Sequence, residues 1–227
     1  GFKMKKKKLI CGLLSASMVL TIGGLTSVYA ADTETLADYP EYKEIVQKYY
    51  DGASAAWNIS QFQENNLCYL AGYYSDINKL GYFLQDIDNN GTAELFIGAI
   101  DDGTDSYEGM FFDMYTLVNG RLSLVTTSGE RDRYYLCKDN TIANEASGSA
   151  FLSLYHYYTY TDGQLNLKES VVYDEERNPQ NPWFFSTTAS TEYNADEFTS
   201  ISEADAASIK NKYEYAELPF ISLADMK

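Results

Sequence analysis

The sequence predicts an α+β domain: an antiparallel β-meander of about nine strands, forming a curved sheet or incomplete barrel, with N-terminal helices and one C-terminal helix. Three observations predict it. Apolar residues recur at helical spacing over residues 40–74 and again over 202–213. Between these stretches, short β-branched and aromatic runs alternate with turn pairs. Three of the turns, Asn119-Gly120, Asp139-Asn140 and Asp162-Gly163, are two-residue links that favour tight hairpins. Consecutive hairpins place neighbouring strands antiparallel, because parallel strands need long crossovers.

Residues 1–30 read as a secretory signal peptide with a short upstream extension. Lys5 to Lys8 precede an apolar stretch, and Val28-Tyr29-Ala30 ends it with small residues suited to cleavage before Ala31. Gly12, Ser15, Ser17, Gly23 and Gly24 dilute a run already short of the roughly 20 apolar residues a bilayer needs. The expectation is a secreted, extracellular protein with no membrane span in its mature form. The whole chain of 227 residues has a formal net charge of −16. The first 30 residues hold five lysines and no acid, so the remaining 197 carry 12 basic against 33 acidic side chains, net −21. Such a surface repels phosphate backbones and anionic lipid, which argues against nucleic-acid and membrane partners. A 45% hydrophobic and 15% aromatic content excludes disorder despite the charge.

Residues 31–39 form a polar leader, and residues 40–227 a single α+β domain expected to be monomeric. Pro40 suits a first helical turn, with Asp38 nearby as a cap. Tyr42, Ile45, Val46, Tyr49 and Ala53 then make one apolar stripe over residues 40–57. A second helix is expected over residues 60–74, burying Phe62, Leu67, Leu70 and Ala71. Strand-like runs follow at 82–87, 94–100, 111–118, 121–127, 133–137, 141–145, 151–161, 164–173 and 183–187. Residues 115–124 and 158–167 match at five of ten positions, which reads as a repeated hairpin within one curved sheet. Ser202 caps the last helix, with Asp205 placed to reciprocate and Ala206, Ile209 and Tyr213 on one face. Cys68 and Cys137 could form one disulfide after export, but a domain of this size needs no staple, and two buried thiols are the plainer expectation.

One segment carries recognisable chemistry. Asp86-Ile87-Asp88-Asn89-Asn90-Gly91-Thr92-Ala93-Glu94 fits D-x-D-x-N-G-x-x-E. Calcium takes six to eight hard oxygens at roughly 2.3–2.6 Å, and alternating acids in a tight loop converge on one point. Asp86, Asp88 and Asn90 would offer side-chain oxygens, Thr92 its carbonyl and Glu94 a carboxylate, with Gly91 supplying the sharp turn. Ile97 stands where an EF-hand would place its bidentate Glu, and the flanks read as strands, which argues against helix–loop–helix. The loop resembles the calcium-binding hairpin loops of integrin-type (FG-GAP) repeats, which implies calcium as the cofactor and the same five residues as its ligands. More loosely, the helical start, this loop and the Tyr-rich hairpins that follow resemble a group of uncharacterised secreted proteins of Gram-positive bacteria, which implies no activity. The competing reading is an Asp/Asn-Gly turn bonded to its own backbone. The acidic run 101–108 lacks alternate spacing and reads as a solvated loop.

Catalytic motifs are missing from the sequence. His156 is the lone histidine, Gly-x-Ser-x-Gly does not occur, and neither does a phosphate-binding glycine loop. A polar constellation of Glu130, Arg131, Asp132 and Arg133 with Asn144 and Glu145 is the candidate ligand-binding site, against the plainer reading of a cross-strand ion-pair ladder. Tyr155, Tyr157, Tyr160, Trp183, Phe184 and Phe185 could form an aromatic stacking face, although core packing explains them as well. The expectation is a non-catalytic, calcium-stabilised binding or surface-associated domain whose partner is an extracellular protein or glycan. A carboxylate-based hydrolase of glycan or peptidoglycan, and a protein-inhibitor domain, are the alternatives.

Overall fold

A computed structural model describes residues 34–190 and 192–226. The expected export segment and residues 31–33 of the leader lie outside these residues. The described residues open with a 3-10 turn, Leu36–Asp38, and then helix α1, Pro40–Ser54. Pro40 occupies the first turn as expected, but the preceding Tyr39, not Asp38, is the N-cap. Asp38 instead accepts hydrogen bonds from Thr35 N (2.8 Å) and Oγ1. The whole predicted stripe of α1 is buried.

The second expected helix is broken in two. Helix α2 runs only over Ile59–Glu64, capped by Asn58, and a 3-10 segment covers Tyr69–Tyr74. Asn66 lies between them at φ 57°, a left-handed conformation that no α-helix continues through. Phe62, Leu67, Leu70 and Ala71 are nevertheless all buried, so the apolar spacing survives the break.

A strand overlaps each of the nine predicted runs. These are β1 (Leu80–Gln85), β2 (Glu94–Ala99), β3 (Asp113–Val118), β4 (Arg121–Thr127), β5 (Asp132–Leu136), β6 (Ile142–Ser149), β7 (Leu152–Thr161), β8 (Gln164–Asp174) and β9 (Trp183–Ser186). Two short strands, β10 (Thr199–Ser200) and β11 (Ile221–Ser222), helix α3 (Glu203–Lys210) and 3-10 turns at Ala195–Glu197 and Leu223–Asp225 complete the described elements. The single nine-strand meander is corrected. The strands form two antiparallel sheets, ordered β11-β1-β2-β3-β4 and β10-β9-β8-β7-β6-β5, and neither closes into a barrel.

Ser128 marks the break between the sheets. Its buried hydroxyl donates to Phe111 O (2.7 Å) and accepts from Tyr134 N (3.1 Å), so a side chain bridges the Phe111 carbonyl and the Tyr134 N–H while Tyr134 O accepts from Phe111 N (3.1 Å). Gly129 and Asp132 then close a tight turn that starts β5 in the other sheet.

Alternation along the strands sets the layers. Leu80, Tyr82, Leu95, Ile97 and Tyr115 of the first sheet pack with α1 and α2 residues in one core cluster. Phe83, Phe96 and Met114 point the other way, against Leu136, Ile142, Tyr158 and Tyr160 of the second sheet. Phe83 stacks on Phe96 at 4.6 Å between centroids. Gly98 permits Phe220 to lie on this seam: a Cβ there would come within 2.4 Å of the Phe220 ring. The outer side of the second sheet carries the segment around α3, where Tyr157 stacks on Tyr213 and Tyr135 on Tyr215.

The two matching decapeptides form hairpins of identical register. Tyr115 pairs with Leu124 and Tyr158 with Leu167, each immediately after a bulge. Both turns have two consecutive positive φ angles, at Asn119-Gly120 and Asp162-Gly163, as type I′ turns require. They lie in different sheets, so the expected repeat within one sheet is also corrected. No helix among the described residues is long and apolar enough to cross a membrane.

Candidate metal loop and ligand cleft

The D-x-D-x-N-G-x-x-E segment connects β1 to β2. Its turn is made by Asn89 at φ 59° and Gly91 at φ 88°, both left-handed. Asp86 accepts from Gly91 N (2.8 Å) and Asn90 N (3.2 Å), Asp88 from Asn90 N (3.2 Å), and Asn90 Oδ1 from Thr92 N (2.8 Å). These are the Asx-type bonds of the competing turn reading, and they fix the loop without neutralising it. Helix α1 clamps the same loop: Tyr42 OH donates to Ala93 O (2.7 Å) and Ala93 N donates to Tyr39 OH (3.0 Å).

Carboxylate oxygens of Asp86, Asp88 and Glu94 lie within 4.8 Å of one another. Opposite ligands on one calcium ion at about 2.4 Å each are about 4.8 Å apart, so this spread suits a shared ion. The donor set also fits, since all five expected groups offer hard oxygens. Neither ion pair among the described residues, Lys138–Glu214 or Lys212–Glu169, involves these carboxylates.

Glu94 is wholly buried. Its Oε1 accepts from Tyr160 OH (2.9 Å) and Thr116 Oγ1 (3.1 Å), and its Oε2 from Ile87 N (3.0 Å). Burial pushes its carboxyl up to about 7 against the pull of these bonds. Sequence reasoning missed Asp162 in the β7–β8 turn. Asp162 N donates to Asp88 Oδ2 (2.7 Å), and its carboxylate accepts from Asn90 Nδ2 (3.0 Å). The signal was present, because the Asp162-Gly163 turn is one of the two matching hairpins. Its meeting with the loop depends on how the sheets stack.

The polar constellation is partly assembled. Glu130, Arg131, Arg133 and Glu145 line an open cleft of about 300 Å³ with Ser147 and Tyr155. Arg133 stands opposite Glu145 on β5 and β6, and Glu145 opposite Tyr155 on β7. Asn144 is not part of it. Its side chain is buried on the inner face and donates to Asp132 Oδ1 (2.6 Å) and Arg133 O (3.2 Å). The expected ion-pair ladder is likewise not formed. Tyr73 OH donates to Glu130 and Tyr215 OH to Glu145 (2.6 Å), while Arg133 bonds the carbonyls of Glu130 (3.0 Å) and Ser106 (3.3 Å). Tyr73 and Tyr215, 57 and 70 residues from their partners, carry no sequence signal for this role.

The remaining candidates are structural. His156 Nδ1 lies 2.6 Å from Ser170 Oγ, but both residues are buried, and burial holds the imidazole below its usual value. Cys68 and Cys137 are free and buried. Burial and the neighbouring Asp113 push the Cys68 thiol up to about 12, which leaves it protonated and unreactive. The aromatic residues do not share a face: Tyr157 lies under Tyr213, Tyr160 points inward to Glu94, and Phe184 is buried beneath Arg177. Residues 101–105 form an exposed loop whose Asp101 and Asp102, with Glu108, accept bonds from Gly103 N and Thr104 N. Comparison with known proteins finds no family model, no curated protein and no solved structure that matches this chain.

Proposed function

We propose that the protein is a secreted, calcium-stabilised, non-catalytic binding domain whose partner is extracellular and meets the β5–β7 cleft. The observation that carries the binding reading is the cleft itself, in which charged side chains are held in place without pairing to one another. The β1–β2 loop supports the calcium part through its three converging carboxylates and oxygen-only donors. Asp86, Asp88, Asn90, Thr92 and Glu94 would hold the ion, which would offset carboxylate repulsion. With a dissociation constant of ~0.1 mM in ~1 mM calcium, the gain is only about 1.4 kcal/mol, a stabilising rather than a folding-essential contribution.

Co-sedimentation with peptidoglycan sacculi tests the binding part. Retention is expected, and it should weaken when Arg131 and Arg133 are both replaced by Gln. Equal retention of wild type and variant would sink the cleft reading. A second reading, a carboxylate-based hydrolase, is favoured by one observation: Glu130 and Glu145 line the same cleft. Release of reducing ends from the same polymers, lost in Glu130→Gln and Glu145→Gln, would replace binding by hydrolysis.

A further inference from the structure

Two of the chain's four arginines stand in this one cleft of an otherwise acidic protein, together with two glutamates. Opposite charges so close would ordinarily pair, yet no ion pair forms among Glu130, Arg131, Arg133 and Glu145. Each is tethered elsewhere. Tyrosine hydroxyls from distant segments hold both glutamates, backbone carbonyls hold Arg133, and Ser147 Oγ accepts from Arg131 Nη2 (3.2 Å). A guanidinium has five donors and a carboxylate two oxygens, so every one of these groups keeps capacity for a ligand.

The chemistry narrows the ligand. A simple anion would meet the glutamates, and a simple cation the arginines. An uncharged glycan would hydrogen-bond these groups through its hydroxyls but neutralise none of the four charges, whereas bonds between charged partners are the stronger ones. A molecule with a carboxylate at one end and an ammonium at the other matches both sets at once. The volume suits a small ligand. Tyr155 adds an aromatic wall that already carries the Lys210 ammonium 3.7 Å from its ring centroid.

We infer that the cleft between the tethered arginines and glutamates binds a small zwitterion, an amino acid or a short peptide with free ends. This rests on the binding reading above and specifies its ligand.

The test uses the full chain and trialanine as the probe, followed by amide-resolved NMR titration. The comparison probes are free alanine, N-acetyl-trialanine, trialanine amide and the uncharged sugar chitotriose. Free trialanine should shift cleft resonances saturably at millimolar concentration or below, and each single cap should weaken binding about tenfold or more. Comparison with alanine separates a peptide ligand from an amino acid. In Glu145→Gln the acetyl cap should lose its effect, and in the Arg131→Gln, Arg133→Gln double variant the amide cap should lose its effect. Unchanged near-UV circular dichroism and melting show that the variants fold. If capped peptides or chitotriose bind the cleft as well as free trialanine, the zwitterion inference is overturned while the binding reading stands. If neither trialanine nor alanine shifts the cleft, the inference is also overturned, and sacculus retention decides the binding reading separately.

Discussion

The β1–β2 loop and the β5–β7 cleft handle charge in opposite ways. The loop gathers like charges: three carboxylates converge within 4.8 Å, fixed by their own backbone and by tyrosines of α1. The cleft separates unlike charges, which tyrosines from distant segments keep from collapsing onto one another. Both cost electrostatic energy in the fold, and both would recover it on binding. The loop can recover it from a bare cation, the cleft only from a ligand with charges of its own.

The largest expected effect separates the burial of the two glutamates. Glu94→Ala orphans the Tyr160 hydroxyl, the Thr116 hydroxyl and Ile87 N–H, and should cost about 3 kcal/mol at ~1–3 kcal/mol for each unsatisfied group with partial relaxation. For a domain of this size that lowers the melting temperature by roughly 9 °C. Glu145→Ala, at the cleft, should stay within about 0.5 kcal/mol. Equal losses in a thermal melt would erase the distinction.

Next in size is the response to calcium. Adding ~1 mM calcium to chelator-treated protein should raise the melting temperature by about 4 °C. Asp86→Ala should abolish the rise and Glu145→Gln should keep it. A wild type indifferent to chelator ends the calcium reading.

Much of the loop was legible because its chemistry is local. Spacing alone brings Asp86 and Asp88 together, and Gly91 announces the turn. The nine strand positions were legible for the same reason: alternation and turn pairs act over a few residues. Sheet membership was not, because the transfer at Ser128 rests on bonds to Phe111 and Tyr134, and a Ser-Gly pair looks like one more hairpin. The helix over 60–74 failed at Asn66, whose left-handed backbone leaves the apolar spacing intact. The cleft's residue types were visible, but the side chains that hold them apart come from Tyr73 and Tyr215. Residue type alone groups Asn144 with the cleft, whereas strand alternation carries it to the face opposite Glu145.

Acid probes the inner face beneath the cleft. His156 is held below its ordinary value by burial, so the fold binds fewer protons than the unfolded chain, whose histidine titrates near ~6.5. Stability from this residue is complete above that pH and declines as pH falls through it. Glu94, raised to about 7, takes up a proton in the fold and works in the opposite direction between about 7 and 4.5. The histidine contribution is therefore read by difference: between pH 7 and 5, wild type should lose more stability in urea melts than His156→Gln. A parallel response would remove His156 from the account.

The smallest expected change in stability carries the most specific information about the cleft. Tyr215→Phe releases the Glu145 carboxylate toward Arg133, its cross-strand neighbour, and should move stability by no more than about 0.5 kcal/mol. Affinity for free trialanine should fall all the same. Full affinity in this variant would show that the tether does not matter.

The pairing of β11 with β1 has a consequence in time rather than in space. Ser222 bonds Ile77 from 145 residues away, and Leu223 enters the core beside α1. A chain made or threaded across a membrane from its N-terminal end therefore carries β1 with a bare edge until residue 222 has emerged. Closing so long a loop is slow, and the open edge meanwhile remains free to pair with another chain. The final strand, only two residues long, thus sets the moment at which β1 is covered at Gly81 and Tyr82.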